Sequence, residues 1–182
     1  MNQSNALTVR SSQGRLRGIM SEIGVRLTST SGNIQDIKDK FNGVWDTGAT
    51  GSVITEKIVN ALGLKPIGQK QVGTANGNMT TNTYFVDFLL PGNVLISGLE
   101  VTEGKLQGVD ILVGMDVITL GDFSITNKNG NTVMSFRIPS MVEHDYIPET
   151  ERYNRLQFLK EQRKPKNNAT KKKRLKRKKR RH

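Results

Sequence analysis

Short β-prone runs separated by glycine-rich turns fill the chain between Ser12 and Ser140, and this spacing is the feature that most limits its fold. Turn signals that recur about every 8–12 residues favour a compact β-barrel or sandwich. The dipeptide Asn129-Gly130 is typical of a hairpin turn that needs positive φ. We expect strands at residues 17–28, 41–45, 83–90, 94–101, 109–113, 123–126 and 132–138.

Two helices are expected besides these strands. Residues 55–62 place three apolar side chains on one face, and Gly63 is suited to end the helix in a left-handed conformation. We expect this short helix to cover one side of the β domain. A second helix is expected at residues 149–164, because Pro165 cannot continue it. Its narrow apolar stripe is sufficient to dock on the body or on a second subunit (Tyr153, Leu156 and Leu159).

Positive charge is concentrated near the C-terminus. The chain has 28 Lys and Arg against 16 Asp and Glu, but residues 163–182 hold 13 of the basic residues and no acidic one. We therefore divide the chain into a folded domain at residues 1–140, a connector with an amphipathic helix at 141–164 and a disordered polybasic tail at 165–182. We expect residues 163–182 to contact nucleic acid non-specifically through counterion release, although a merely solubilising tail has the same composition.

Two residue types that build many active sites are scarce. The chain has no cysteine, and its two histidines are His144 and His182. This composition excludes disulfides, thiolate metal sites and a cysteine nucleophile, and we expect neither a metal nor a cofactor. No apolar run has the length of a signal-peptide core or a membrane span. These features predict a cytoplasmic protein without a membrane partner.

The stretch Val44-Trp45-Asp46-Thr47-Gly48-Ala49-Thr50 carries the strongest indication of chemistry. An apolar run delivers an acid to the end of a strand, and small residues follow it at once. By itself, Asp-x-Gly is more often a simple turn. Here the loop returns through Val53-Ile54 into the first helix, and a second apolar-apolar-glycine element, Leu112-Val113-Gly114, follows about 65 residues later.

This arrangement resembles the retropepsins, the single-domain aspartic proteases of retroviral type, and it looks closest to bacterial retroviral-like members. The resemblance covers roughly residues 19–140 and implies a mainly β fold, a closed β-barrel with one short helix in the body. It places Asp46 at the catalytic position, and the family has a further short helix where residues 115–118 lie. The other assigned residues form the active-site loop (Thr47, Gly48 and Ala49) and its structural support (Leu112, Val113 and Gly114).

The resemblance also implies a mechanism and an oligomeric state. Aspartic proteases hydrolyse peptide bonds with a water molecule that is activated by two carboxylates sharing one proton. This chain has a single Asp-Thr-Gly sequence, so the resemblance implies a homodimer in which each subunit supplies Asp46. The substrate would be a polypeptide. Four other acids stand outside such a motif and are interpreted as structural or solvated (Asp87, Asp110, Asp116 and Asp122).

A polar hairpin is expected between Lys70 and Tyr84. In the family, a glycine-rich hairpin at this place is the flap that closes over the substrate. The resemblance therefore makes Asn76, Gly77 and Asn78 the flap tip and substrate-binding residues, although the same residues also suit an ordinary β-hairpin turn.

A non-catalytic function is the alternative. The same dimeric scaffold would then be a binding module that attaches to RNA, ribosomes or DNA through its basic tail. The intact Asp46-Thr47-Gly48-Ala49 sequence argues against it, because a binding module does not need a pair of like charges at a subunit interface.

Overall fold

The structure of the protein is a computed structural model that describes residues 4–28, 37–74 and 77–163. The chain divides into two compact units, Met1–Val142 and Glu143–His182. The polybasic tail predicted at residues 165–182 lies outside the described residues. Among the helices of the described part, none combines the length and the apolar character needed to cross a bilayer.

The described residues form ten strands and three α-helices. The strands are β1 (Asn5–Arg10), β2 (Ile19–Leu27), β3 (Lys40–Trp45), β4 (Val53–Ile54), β5 (Gly68–Thr74), β6 (Gly77–Leu90), β7 (Val94–Glu103), β8 (Ile111–Val113), β9 (Asp122–Thr126) and β10 (Val133–Ile138). The helices are α1 (Glu56–Leu62), α2 (Met115–Ile118) and α3 (Tyr146–Arg163).

Six strands close into a barrel. They follow the order β2-β3-β8-β4-β7-β6, and β2 pairs with β6 to complete the circle, with Gly24 opposite Leu89. β5 pairs only with β6 among the described strands and forms a hairpin that extends beyond the closed barrel. The prediction of a mainly β fold with a closed β-barrel is thus confirmed. Two contacts in the barrel are parallel, β3 with β8 and β4 with β7.

The barrel interior is filled by alternate residues of its strands. The fully buried side chains include Ile23, Val86, Phe88, Val101 and Ile111. Each buried aliphatic or aromatic side chain of this size contributes about 1.5–3 kcal/mol relative to an exposed one.

Asp87 is also fully buried, at the register shift between Val86 and Phe88 where β6 departs from regular pairing with β7. Its carboxylate accepts hydrogen bonds from Arg26 Nε (2.9 Å), Thr28 Oγ1 (3.0 Å) and the Gly98 backbone N–H (2.9 Å). Because a buried carboxylate is costly without partners, these contacts explain how it is tolerated. Asp87 is a structural acid, as the sequence suggested.

A second sheet of three strands, β1-β10-β9, packs its inner face on the barrel core. β1 was not expected from the sequence, although Leu7 and Val9 alternate as in a half-buried strand. The hairpin between β9 and β10 turns through Asn129 (φ 55°) and Gly130 (φ 80°), as predicted. This sheet extends the domain beyond the barrel.

The outer edge of β1 is covered by the 3₁₀ turn Pro91–Asn93 between β6 and β7. Asn5 Nδ2 donates to the carbonyl oxygen of Asn93 at 3.2 Å. A Cβ atom on Gly92 would lie 2.1 Å from the carbonyl oxygen of Ala6, and the φ of Gly92 is 72°. Only glycine therefore permits the turn to lie so close to the strand.

The helices agree with the expectation except for one start. α1 ends at Gly63 in the left-handed conformation, as expected. The single-turn α2 lies at Met115–Ile118, where the resemblance placed a further short helix. α3 begins at Tyr146, before the expected residue 149, because Asp145 Oδ1 accepts the Ile147 N–H at 2.9 Å and caps the first turn.

Candidate active site

β3 ends at Trp45, and Asp46 is the first residue of the tight loop that follows. The Asp46 N–H donates to the carbonyl oxygen of Val113 at 2.9 Å, which continues the parallel pairing of β3 with β8. Asp46 Oδ1 accepts the Gly48 N–H at 2.8 Å, and the Ala49 N–H donates to the carbonyl oxygen of Asp46. The loop thus holds the carboxylate in one orientation. Asp46 is partly exposed, and Thr47 and Gly48 are exposed beside it.

The element predicted as support lies directly against this loop. Val113 is fully buried, and Leu112 pairs with both β3 and β4. After Gly114, the Met115 N–H donates to the carbonyl oxygen of Ala49 at 2.8 Å. These contacts tie the loop to the start of α2.

Gly114 occupies a position that leaves no space for a side chain. A Cβ atom there would lie 2.6 Å from the carbonyl carbon of Gly51 and 3.0 Å from the carbonyl oxygen of Ala49. Since both neighbours are backbone atoms, a larger residue would displace the loop that carries Asp46. The glycine of the apolar-apolar-glycine element is therefore needed for close approach of two backbones.

Ser52 and Asp116 form a second attachment that sequence analysis did not identify as part of the site. Asp116 accepts hydrogen bonds from the backbone N–H and the hydroxyl of Ser52, both at 2.8 Å. The Ser52 hydroxyl oxygen in turn accepts the Gly114 N–H at 3.1 Å. Ser52 is 1% exposed. Asp116 is thus structural, as expected, and it acts on the loop through Ser52.

The other two acids that were interpreted as structural or solvated, Asp110 and Asp122, also have polar partners. Asp110 forms an ion pair with Lys57 at 3.0 Å. Asp122 accepts hydrogen bonds from Ser140 Oγ (2.6 Å), from the Arg137 guanidinium and from the Met141 N–H (2.9 Å). The Ser140 hydroxyl, followed by Arg137 and the Met141 N–H, holds the pKa of Asp122 well below its ordinary value.

A cleft of about 230 Å³ opens beside Asp46 and Thr47. Its wall combines apolar and polar residues. The apolar side chains come from the segment that leads into β2, the end of β3 and the edge strand β9 (Leu16, Ile19, Trp45, Phe123 and Ile125). Polar residues complete it, with Arg17 as the basic and Asp46 as the acidic residue of the described lining (Arg17, Asp46, Thr47, Asn127 and Thr132). The cleft was not predicted from the sequence, because its walls are brought together only by the packing of β9 on the barrel.

Trp45 forms the floor of the cleft. Its ring stacks on Phe123 with 5.7 Å between centroids and lies 5.4 Å from Phe136. Its indole N–H donates to Ser21 Oγ at 2.9 Å. The large side chain before Asp46 is therefore both packed and satisfied in its hydrogen bonding.

The predicted flap is a two-residue hairpin, since Thr74 pairs with Gly77 across β5 and β6. Asn76 lies outside the described residues, Gly77 has a φ of 108°, and Asn78 is exposed. No described residue of this hairpin lines the cleft beside Asp46.

The base of the hairpin is held by a chain of polar contacts. Tyr84 donates its hydroxyl to Glu103 Oε2 at 2.8 Å, and Asn82 donates to the same oxygen at 3.3 Å. Gln69 on β5 donates to Asn82 Oδ1 at 3.2 Å. Burial, then the hydrogen bond to Glu103 and its negative charge, raises the pKa of Tyr84. These contacts connect β5, β6 and β7.

The described residues contain no group of three imidazole or carboxylate side chains placed to hold a metal ion. The acidic side chain of the cleft is a single aspartate, so the chemistry that the site offers is that of one oriented carboxyl group.

Part of the chain is similar to known aspartic proteases. The aspartyl protease family matches residues 30–117. A retropepsin-like aspartic protease from Rickettsia conorii is similar in structure, with 16% identity, a TM-score of 0.46 and coverage of 75% of this chain and 98% of that chain. The Simian Foamy Virus (mac) protease is similar with 20% identity, a TM-score of 0.37 and coverage of 53% and 87%.

The foamy viral protease-reverse transcriptase, solved with an RNA/DNA hybrid, is similar with 22% identity, a TM-score of 0.41 and coverage of 56% of this chain and 12% of that chain. No curated protein matches the chain significantly. The family match spans the loop of Asp46 and its support up to Val117. Over residues 30–117 the chain is thus similar to the aspartyl proteases, in agreement with the resemblance that its sequence predicted.

Proposed function

We propose that this protein is an aspartic endopeptidase that works as a homodimer. The observation that carries the proposal is the carboxylate of Asp46, which follows β3, is held by the Gly48 N–H and lines a cleft. Asp46 is partly exposed, whereas the four other acids considered above have partners elsewhere in the fold.

The proposed mechanism needs two such carboxylates. One of them takes a proton from water while the other, protonated, donates to the carbonyl oxygen of the peptide bond. Two carboxyl groups about 3 Å apart cannot both ionise, so the pair retains one proton between them. Because the described lining of the cleft holds the single acid Asp46, the second carboxylate comes from a second copy of the chain. Thr47 and Gly48 shape the two loops where they meet.

The substrate of this proposal is an extended polypeptide, bound by strand addition under the hairpin of β5 and β6. In this proposal Asn76, Gly77 and Asn78 form the tip of the flap and contact the substrate backbone. The support for a flap is the extension of β5 beyond the closed barrel. Glu103 and its partners hold the base of this hairpin, and the closure proposed here is a movement of its tip.

The experiment is cleavage of a diverse peptide library between about pH 4 and about pH 7.5, since general acid–base activity depends on pH. Wild-type protein is compared with Asp46→Asn and with wild type plus a statine-type transition-state inhibitor. The proposal requires cleavage that both the substitution and the inhibitor abolish. A dimeric wild-type protein that cleaves no peptide would instead favour a binding module on the same scaffold.

A contact with nucleic acid is proposed for the basic tail. Its support is the run of 13 Lys and Arg without an acid at residues 163–182. Aromatic residues are absent after Phe158, so binding would be electrostatic and non-specific. Truncation after Lys164 should abolish RNA binding that weakens with added salt, whereas unchanged binding would refute the role of the tail.

A further inference from the structure

Positive charge is concentrated at one end of the sheet β1-β10-β9. Arg10 ends β1 and pairs with Val133, and Lys128 lies in the turn between β9 and β10 that precedes Val133. The two stretches of chain that meet there, residues 4–21 and 123–142, contain no Asp or Glu. Four exposed basic residues of these stretches form no ion pair with a described residue, and they are called the basic patch (Arg10, Arg15, Arg17 and Lys128).

The segment between β1 and β2 is attached to the turn between β9 and β10. The Gly14 N–H donates to Asn131 Oδ1 at 2.9 Å. The Leu16 N–H donates to the hydroxyl oxygen of Thr132 at 2.9 Å, and Thr132 is buried. Because Arg17 follows directly after Leu16, these two hydrogen bonds fix the position of its backbone beside the turn.

Arg17 is the residue of the basic patch that lines the cleft beside Asp46. Arg17 and Asp46 do not form an ion pair with each other, and no other described carboxylate is paired with Arg17. A guanidinium group binds a carboxylate through paired, charge-assisted hydrogen bonds. A peptide that reaches Asp46 through this cleft therefore passes an unpaired guanidinium group.

We propose that the substrate is an acidic polypeptide, in which an aspartate or glutamate close to the cleaved bond is bound by Arg17. The rest of the basic patch attracts further acidic residues of the same chain. Arg17 is a specificity-determining residue in this scheme and takes no part in the proton transfers. The inference rests on the proposed function. The ligand is a peptide rather than a nucleic acid, because Arg17 lines the same cleft as the carboxylate that acts on peptide bonds.

Cleavage of the peptide library gives the first test. Cleaved peptides should be enriched in aspartate and glutamate close to the cleaved bond. One such peptide is then synthesised with either glutamate or glutamine at the enriched position. Wild-type protein should cleave the glutamate form with a kcat/KM about fivefold higher, as expected for an ion pair at an exposed site. Arg17→Gln should bring this ratio to about one, whereas Arg17→Lys should retain part of it.

Lys40→Gln is the matched control, because it removes the same charge far from the cleft. Lys40 is exposed and begins β3, whereas Asp46 follows the last residue of that strand. Its ratio should stay at about fivefold, as in the wild type. Arg17→Glu should instead prefer a peptide with lysine at the enriched position. Equal cleavage of the glutamate and glutamine forms by the wild type overturns the proposal, and so do equal ratios in Arg17→Gln and Lys40→Gln.

Peptide binding gives a second measurement that does not need cleavage. The probes are two peptides in which valine alternates with glutamate or with glutamine, and they are added to Asp46→Asn. The fluorescence of Trp45 reports binding in the cleft, because Trp45 lines it and is the one tryptophan of the chain. The glutamate peptide should saturate this signal at a concentration about fivefold lower, and added salt should reduce the difference. Adding Arg17→Gln should remove the difference. Saturation at equal concentrations, or the absence of any signal, refutes binding of an acidic peptide at this cleft.

The proposed function can fail separately. If no peptide is cleaved and the glutamate peptide still binds in the cleft through Arg17, the acidic-peptide site stands and the protease assignment falls. If peptides are cleaved without a preference for acidic residues, the protease assignment stands and the acidic-peptide site falls. An RNA oligonucleotide that changes the Trp45 signal through Arg17, when neither peptide does, would identify a nucleic-acid surface and overturn the proposal.

Discussion

Replacing Ser52 by alanine should destabilise the protein far more than the loss of one small side chain suggests. The Ser52 hydroxyl donates to the Asp116 carboxylate at 2.8 Å and accepts the N–H of Gly114 at 3.1 Å. Alanine makes neither contact. The Gly114 N–H is buried, so the substitution leaves it without a partner.

The expected fall in the free energy of unfolding follows from the loss of these two contacts. A hydrogen bond to a charged group contributes about 1.5–3 kcal/mol, and an unsatisfied buried donor costs about 1–3 kcal/mol. The bond from the Ser52 backbone N–H to Asp116 remains in the variant. We therefore expect the free energy of unfolding to fall by about 3 kcal/mol.

Urea denaturation measures this change, with the fluorescence of Trp45 as the signal. Trp45 is the one tryptophan of the chain, and it is 6% exposed. Thr50→Ala is the matched control, because Thr50 is exposed on the same loop. Its backbone carbonyl accepts the Asp116 N–H, and the alanine variant retains this hydrogen bond. The free energy of unfolding of Thr50→Ala should therefore fall by less than about 0.5 kcal/mol. A similarly small cost for Ser52→Ala would refute the proposed attachment.

Three further substitutions are informative. The stability lost in Asp122→Asn should be largest near neutral pH and should shrink as the pH falls below 3.8, the ordinary pKa of an aspartate. The reason is that a carboxyl group with a lowered pKa stabilises the fold only while it is ionised. A loss of stability that does not depend on pH in urea titrations contradicts this. Gly114→Ala should cost about 3 kcal/mol or more in the same assay, because its Cβ meets the Gly51 backbone, and a loss below about 1 kcal/mol would contradict that contact. Tyr84→Phe should cost about 1–3 kcal/mol by leaving Glu103 with fewer donors; an unchanged denaturation midpoint would show that the contact is dispensable.

Local pattern predicted much of the barrel. Alternating or continuous apolar runs indicated β2, β3 and β7 to within about two residues, and Gly63 marked the end of α1. β6 was expected to begin at Thr83 but begins at Gly77. Met79 is the one apolar residue between Gly77 and Thr83, so no apolar alternation distinguishes this part of the strand from a loop.

The candidate site was predictable in part. The motif around Asp46 and the later Gly114 identified the loop and its support from residue identity alone. Ser52 and Phe123 were missed, because their function depends on contacts with residues 64 and 78 positions away, Asp116 and Trp45 respectively. No local pattern encodes pairs so distant in sequence.

The parallel pairing of β3 with β8 also has a consequence for biosynthesis. The Asp46 N–H is bonded to Val113, so its loop is completed by a strand that is synthesised long after it. Contacts between such distant segments form late, because a long loop must first close. A nascent chain that ends before Val113 has no partner for that N–H. The order of translation therefore delays assembly of the site until nearly the whole barrel has left the ribosome.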